Sequence, residues 1–294
     1  MPIFKIEKKK ALQLGLKHNG FGNEFELRDF FAENLEEILG VRFLEKEYAT
    51  TDGRIDTLGI DENNSPVIIE YKWKENEEVF SQGLFYLDWL LKNKKHFDLL
   101  VKSKLGDKAE VSWDQPRVIL VAQGFSRYIK SAVQRVENVE LKTYALYDDN
   151  VLHIENEYSP FPEKERSEKK HATQMGGENT VYNLAYHMQI ASPEVQKIVQ
   201  VLRDNILELP SVEEKDGQKS GITYRTTKSF ARFEFRKTWI QLLLRDSSYP
   251  EDTQKIIKDV STNEWGYKGM IKLTPESDVD YVLALIVASY KSTL

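Results

Sequence analysis

The sequence predicts an α/β fold for the first half of the chain and a smaller α+β domain for the second half. Two observations lead to this prediction. Between Phe25 and Tyr147, apolar residues at helical spacing alternate with short runs of β-branched residues. A polar segment rich in charge, proline and glycine then interrupts the pattern, and such a segment has little apolar surface to bury. We therefore expect a first domain over 1–155, a linker over 156–180 and a second domain over 181–294.

The first domain is predicted to run in the order helix, three strands, helix, strand, helix, strand. Its first helix follows from apolar residues at helical spacing from Phe25 to Leu39, and Gly40 ends it. The strands are predicted at Val41–Tyr48, Gly53–Ile60, Val67–Lys72, Arg117–Ala122 and Val139–Tyr147. The remaining helices are predicted at Val79–Leu91 and Ser126–Val136.

The second domain shows three helical and three strand-like segments. The helices are predicted at Val181–His187, Pro193–Leu209 and Asp280–Tyr290, and the strands at Gly221–Tyr224, Phe230–Phe235 and Trp239–Leu244. Basic and aromatic residues alternate along this sheet: Lys228, Phe230, Arg232, Phe233, Phe235, Arg236, Lys237 and Trp239. The alternation indicates either a nucleic-acid contact through stacking and phosphate pairing, or strands with one face in the core.

Composition excludes several classes of protein and of site. The 294-residue chain has no cysteine, which excludes disulfides, thiolate chemistry and cysteine-bound zinc, and suits the reducing cytoplasm. No segment approaches the roughly 18 apolar residues of a membrane span, so we expect neither a membrane partner nor a transport role. The five histidines are scattered without ligand spacing. A net charge of -6 argues against nucleic acid covering the whole surface, but a local basic track would suffice for phosphates.

A candidate for such a track lies after the second helix of the first domain. It consists of Lys92, Lys94, Lys95, Lys102, Lys104 and Lys108. The alternative is an ordinary solvated helix end and loop, because lysine-rich surface segments are common.

Two carboxylates and a lysine form the chemical centre of the first domain. Glu70 and Lys72 point to the same face of their strand, because side chains alternate along a strand. The turn at Asn63–Pro66 allows a hairpin that brings Asp56 beside Glu70. Paired carboxylates suit Mg²⁺ or Mn²⁺, and Lys72 adds a positive charge. The alternative is a cross-strand salt bridge. Against it stands the run Val67-Ile68-Ile69, which is typical of a strand buried on both faces.

Three motifs in order resemble the PD-(D/E)XK nuclease superfamily. They are Gly53-Arg54-Ile55-Asp56, then Glu70-Tyr71-Lys72, then Gln82-Gly-Leu-Phe-Tyr86. Within the superfamily, they are most similar to the catalytic domain of NucS (EndoMS-like) DNA endonucleases, over about Gly22 to Ala122. The resemblance implies a restriction-endonuclease-like fold, with a central four-stranded mixed sheet flanked by helices. The second domain resembles a small domain of unknown function, on the segments Tyr224–Phe235, Trp265-Gly266 and the closing helix.

The resemblance also implies roles for individual residues. Asp56 and Glu70 would bind the metal, Mg²⁺ or Mn²⁺, and Lys72 would be the catalytic lysine. The family's helix motif Glu-X-X-Leu falls on Glu24-Phe-Glu-Leu27, so Glu24 would join the site, with Glu26 and Glu33 as competitors. The residues expected to contact substrate are Gln82, Tyr86, Arg54 and Lys74, the last standing where relatives often carry arginine.

The function implied is a metal-dependent endonuclease that acts on DNA in the cytoplasm. Relatives cut both strands by pairing two sites, which makes a homodimer a further expectation. The alternative is a non-catalytic nucleic-acid-binding or interaction module that keeps the nuclease fold.

Overall fold

The first unit of the chain is built on a mixed six-stranded sheet. A computed structural model describes residues 2–17, 20–73, 77–160, 182–260 and 266–294. The described residues up to 160, other than 36–40, form one compact unit, and the remaining described residues form the other. Ahead of the sheet stands a hairpin of β1 (Phe4–Glu7) and β2 (Lys10–Gln13).

The sheet strands lie side by side in chain order. They are β3 (Val41–Thr50), β4 (Gly53–Asp61), β5 (Pro66–Lys72), β6 (Arg117–Ala122), β7 (Val139–Leu146) and β8 (Leu152–Tyr158). The strands from β3 to β5 pair antiparallel, those from β5 to β7 pair parallel, and β8 returns antiparallel to β7. Parallel neighbours need crossover connections, which here are helical.

Five helices of the described residues belong to this half of the chain. They are α1 (Glu24–Glu33), α2 (Leu35–Leu39), α3 (Glu78–Lys92), α4 (Lys94–Leu105) and α5 (Arg127–Val133). On one face of the sheet, Phe31 of α1 packs on Tyr71 of β5, with ring centroids 5.5 Å apart. On the other face, α3 lies so close to β6 that a Cβ on Gly83 would stand 2.9 Å from Val118 Cγ1. Helices therefore cover both faces of the sheet.

The α/β class predicted for this half is confirmed, but the four-stranded sheet is wrong because the sheet has six strands. Five of the six were predicted individually. The sixth, β8, is an edge strand whose residues are exposed or half-buried, so it carries charges that look like linker composition. The helix predicted over Phe25–Leu39 is two helices. Asn34 ends the first, and its side-chain amide donates to the carbonyl of Phe30 at 2.8 Å.

The second unit contains an antiparallel sheet with the order β13-β14-β12-β11-β10-β9. The strands are β9 (Glu213–Gln218), β10 (Gly221–Arg225), β11 (Ser229–Phe235), β12 (Ile240–Leu244), β13 (Lys258–Asp259) and β14 (Gly269–Leu273). The helices are α6 (Leu184–Ile190), α7 (Pro193–Ile206) and α8 (Val279–Lys291). The three predicted strands are present. Among the strands of this second sheet that were not predicted, the first is β9. Its sequence, EEKDGQ, has no β-branched or aromatic residue that would indicate a strand.

The predicted linker and the membrane-span criterion can be compared only with the described residues. The linker predicted over 156–180 overlaps β8 as far as Tyr158, and its residues from 161 onward lie outside the described part. Across the described ranges, none of the helices has the length and apolar character needed to span a membrane.

Candidate active site

Asp56 of β4 and Glu70 of β5 lie side by side, as the predicted hairpin requires. The antiparallel register pairs Thr57 with Ile69, and its continuation by one residue sets Asp56 opposite Glu70. The amide of Asp56 donates to Glu70 Oε1 at 3.2 Å, and the amide of Tyr71 donates to Asp56 Oδ2 at 3.0 Å. The backbone of each strand therefore holds the carboxylate of the other.

Glu70 is fully buried, and its environment disfavours the charged form. Its Oε2 atom has no hydrogen-bond partner among the described residues. Burial, and then the negative charge of Asp56, raise the pKa of Glu70 from 4.5 to about 9. Burial also raises the pKa of Asp56. Such a pair needs a compensating positive charge when both acids are ionised.

Lys72 is held by the acid at the start of α1. Its Nζ lies 3.0 Å from Glu24 Oε1, and the amide of Trp73 donates to Glu24 Oε2 at 3.4 Å. Burial alone lowers the pKa of Lys72, but the hydrogen bond and charge of Glu24, with the charges of Asp56 and Glu70, raise it overall. Lys72 therefore stays an ammonium group beside the two carboxylates.

The three candidate acids of the first helix have different surroundings. Only Glu24 contacts Lys72 within the described structure. Glu26 closes the helix N-terminus: it accepts from the amide of Gly22 at 3.0 Å, while its own amide donates to Asn23 Oδ1 at 2.9 Å. Glu33 is exposed in the last turn. The geometry therefore favours Glu24, while its chemical role stays a prediction.

Arg28 is a charged neighbour that the sequence analysis missed. It follows Glu24 by one helical turn and is 7% exposed. Its Nη1 lies 3.1 Å from Glu47 Oε1, and its charge acts on Asp56, where it lowers the pKa. The signal that would have found it is the spacing of four residues from Glu24.

The residues expected to contact substrate have different surroundings. Tyr86 is 5% exposed, and its hydroxyl accepts from the amide of Arg54 at 3.1 Å. A Cβ on Gly53 would stand 2.6 Å from that hydroxyl oxygen, so glycine is what allows α3 to reach the start of β4. The side chain of Arg54 is 67% exposed, and Gln82, one turn before Tyr86 on α3, is half-buried. Lys74 lies outside the described residues.

Two lysines of the predicted track form ion pairs, and the aromatic rings predicted for the second unit lie in its core. In the lysine track, Lys92 pairs with Asp88 at 2.6 Å and Lys104 with Glu45 at 3.3 Å, as on a solvated helix face. In the second unit, the rings of Phe230, Phe233 and Phe235 are buried in the core. Those rings are not available to stack on bases, so the alternation there is a core-facing strand pattern.

The donor set is compatible with a divalent cation. No three histidine, cysteine, aspartate or glutamate side chains of the described residues cluster as ligands. Two carboxylates nevertheless suit Mg²⁺, which is usually bound by one or two carboxylates with waters and substrate phosphates completing its octahedron. The unpartnered, buried Oε2 of Glu70 beside Asp56 is the atom that such an ion would satisfy.

Comparisons with known proteins match a different family model in each half of the chain. Residues 23–111 match the family model described as the endonuclease NucS C-terminal domain. Residues 187–293 match a domain of unknown function, DUF5655. An uncharacterized protein of Haemophilus influenzae (strain ATCC 51907 / DSM 11121 / KW20 / Rd) is 28% identical over 306 residues, covering 99% of this chain and 100% of that protein. The chain thus contains a NucS-like domain around Asp56, Glu70 and Lys72.

Solved structures give a weaker likeness. One is an EndoMS complex with double-stranded DNA, 23% identical with a TM-score of 0.30, covering 47% of this chain and 48% of that chain. Another is a repair endonuclease from Pyrococcus abyssi, 22% identical with a TM-score of 0.29, covering 40% and 45%. The likeness spans about half the length of each solved chain.

Proposed function

We propose that the first unit is a metal-dependent endonuclease of the PD-(D/E)XK type that hydrolyses phosphodiester bonds in DNA. The observation that carries the proposal is the meeting of Asp56, Glu70 and the Lys72–Glu24 ion pair at one end of β5. The match of residues 23–111 to the NucS C-terminal domain, and the resemblance of the three motifs to DNA endonucleases, support it.

Each residue has a role in this proposal. Asp56 and Glu70 would hold Mg²⁺ or Mn²⁺ through their carboxylates. When bound, such an ion would supply Lewis-acid chemistry, which lowers the pKa of water and offsets charge on the phosphoryl group. Lys72 would face the charge that grows on the phosphoryl oxygens, and Glu24 would keep its ammonium in place. Hydrolysis adds one water across a P–O bond and leaves one phosphate end and one hydroxyl end.

The test is a cleavage assay with matched variants. Purified full-length protein would be incubated with single-stranded, branched and mismatched DNA in Mg²⁺ or Mn²⁺. We expect Asp56→Ala and Lys72→Ala to abolish cleavage, while Glu33→Ala, which changes an exposed acid on α1, keeps it. Cleavage that survives in both site variants would overturn the proposal. A homodimer stays a prediction, which sedimentation of the wild-type protein would check.

A second candidate is a nucleic-acid-binding module without catalysis. The absence of a three-residue ligand cluster within the described structure favours it. Calorimetry separates the two candidates, because a nuclease should bind Mn²⁺ in a way that Asp56→Ala removes. If wild-type and variant protein both fail to bind the ion, the binding module is the better description.

A further inference from the structure

The hairpin of β1 and β2 is an exposed ribbon. All eight residues of its two strands are exposed, and Ile6 reaches 80%. An isolated two-stranded hairpin is at best marginally stable in water. An exposed ribbon with apolar side chains in solvent is a candidate surface for binding a partner.

The tip of the ribbon holds two lysines in an unfavourable conformation. Glu7 pairs with Lys10, which leaves Lys8 and Lys9 as the two central turn residues. Both have positive φ, 45° and 71°. Such turns strongly prefer Asn-Gly or similar pairs, because other side chains avoid the left-handed region. Strain of this kind is tolerated most often where the residue has a function.

The ribbon lies in a basic segment of a chain whose net charge is negative. The first 17 residues contain five lysines and one glutamate, whereas the whole chain has a net charge of -6. Lys5 is occupied, because its Nζ pairs with Asp149 at 2.8 Å. The exposed ammonium groups of Lys8, Lys9 and Lys10 have no carboxylate partner among the described residues. The three groups at the tip are therefore available to an anion.

The ribbon is anchored at the end of the sheet that carries the candidate active site. Lys72 is level with Ala122, and Ala122 with Thr143, in the parallel strands. Three residues further along β7, Leu146 accepts from the amide of Lys17 at 2.8 Å. With about 4.8 Å between strands and 3.3 Å per residue, the path from Lys72 through Leu146 and Lys17 places the tip within about 45 Å of Lys72. This distance is less than about one and a half helical turns of a duplex.

We propose that Lys8, Lys9 and Lys10 bind the backbone phosphates of a nucleic-acid duplex whose scissile bond lies at the candidate active site. The major groove admits a two-stranded ribbon, and three ammonium groups at a tip match a line of phosphates. On the ribbon's apolar face, Phe4 and Ile6 would meet the apolar edges of the groove. The choice of duplex DNA as partner rests on the proposed function.

Anisotropy titrations of the full-length protein with a DNA duplex of about three helical turns test this proposal. They would be made in EDTA, which prevents cleavage, at several salt concentrations. We expect Lys8→Gln/Lys9→Gln/Lys10→Gln to weaken binding about tenfold or more, and to reduce the slope of log K against log salt by about 3. The matched control, Lys197→Gln/Lys255→Gln/Lys291→Gln, removes the same charge from exposed positions of the second unit and should keep the slope.

A second variant separates binding from folding of the ribbon. Lys8→Asn/Lys9→Gly places a preferred pair in the turn, so the ribbon should be at least as well formed. We nevertheless expect weaker duplex binding, with the slope reduced by about 2. Unchanged affinity in both tip variants, or no binding of the wild-type protein to the duplex, would overturn the proposal.

Two further results distinguish this proposal from its neighbours. If the wild-type protein cleaves DNA in no condition, but the salt slope still falls in the tip variants, the proposed nuclease function is wrong. The proposal that the ribbon tip binds a duplex then stands. If Phe4→Ser/Ile6→Ser converts a dimer to a monomer in sedimentation, while both tip variants bind DNA like the wild type, the ribbon is a contact between copies of the chain and the proposal is wrong.

Discussion

The backbone amide of Asp56 lies 3.2 Å from Oε1 of Glu70, so two acids that repel each other are joined by a main-chain hydrogen bond. The bond serves one oxygen of Glu70 and leaves the buried Oε2 without a partner among the described residues. A carboxyl group in this position is neutral in the metal-free protein up to high pH, and this has a measurable consequence for stability.

We predict that metal-free wild-type protein loses stability as pH rises, and that Glu70→Gln removes this loss. The pKa of Glu70 is about 9 in the folded protein but near 4.5 when unfolded, so the folded state binds the extra proton. Its contribution is fully present below about pH 4.5 and disappears as pH rises through 9, with a slope of at most about 1.4 kcal/mol per pH unit. Urea unfolding in EDTA across this pH range measures it. Glu33→Gln is the control, and parallel curves for wild type and Glu70→Gln would contradict the prediction.

The ion pair of Lys72 with Glu24 predicts a shift in the lysine's titration. Burial lowers the pKa of Lys72, and Glu24 raises it more strongly than Asp56 and Glu70 do. Glu24→Gln removes this largest opposing contribution, so it should lower the pKa of Lys72. NMR of isotope-labelled lysine side chains would follow this titration. Glu26→Gln and Glu33→Gln remove the competing acids of the same helix and should leave it in place. An equal shift with Glu33→Gln would show that general charge, rather than this contact, sets the pKa.

The position of Tyr86 predicts a structural effect on catalysis. Tyr86→Phe removes the hydroxyl that accepts from Arg54 N, which should cost about 1 kcal/mol of stability. Because Tyr86 is buried against the strand that carries Asp56, we expect kcat to fall while KM stays the same. Tyr128→Phe, at an exposed position, is the control. A raised KM at unchanged kcat would instead support direct substrate binding by Tyr86.

A buried ion network away from the site predicts a large stability effect. Arg117 is 1% exposed and contacts Asp61 and Glu140, with 2.7 Å from its Nε to Glu140 Oε1. Arg117→Met would leave two buried carboxylates without this partner, so we expect a loss of about 3–5 kcal/mol in urea unfolding. Arg127→Met, on the exposed start of α5, should change stability by less than about 0.5 kcal/mol. Similar losses in both variants would rule out the special role of Arg117.

Much of the first unit could be predicted because its signals are local. The run Val67-Ile68-Ile69 identified β5 and the spacing of α3 identified that helix, since periodicity depends only on near neighbours. Strand β8 was missed for the opposite reason. An edge strand has one neighbour and solvent around it, so its residues Glu155 and Glu157 do not follow a core pattern.

The sequence by itself determined the α/β class, the placement of Asp56, Glu70 and Lys72 on adjacent strands, and the three acids that compete on the first helix. Tertiary structure alone decided that Glu24 reaches Lys72 across 48 residues, that Tyr86 turns inward to Arg54, and that the pKa of Glu70 rises. The physical reason is range. Alternation and helical spacing act between near neighbours in the chain, whereas ion pairs and burial depend on which distant segments the fold brings together.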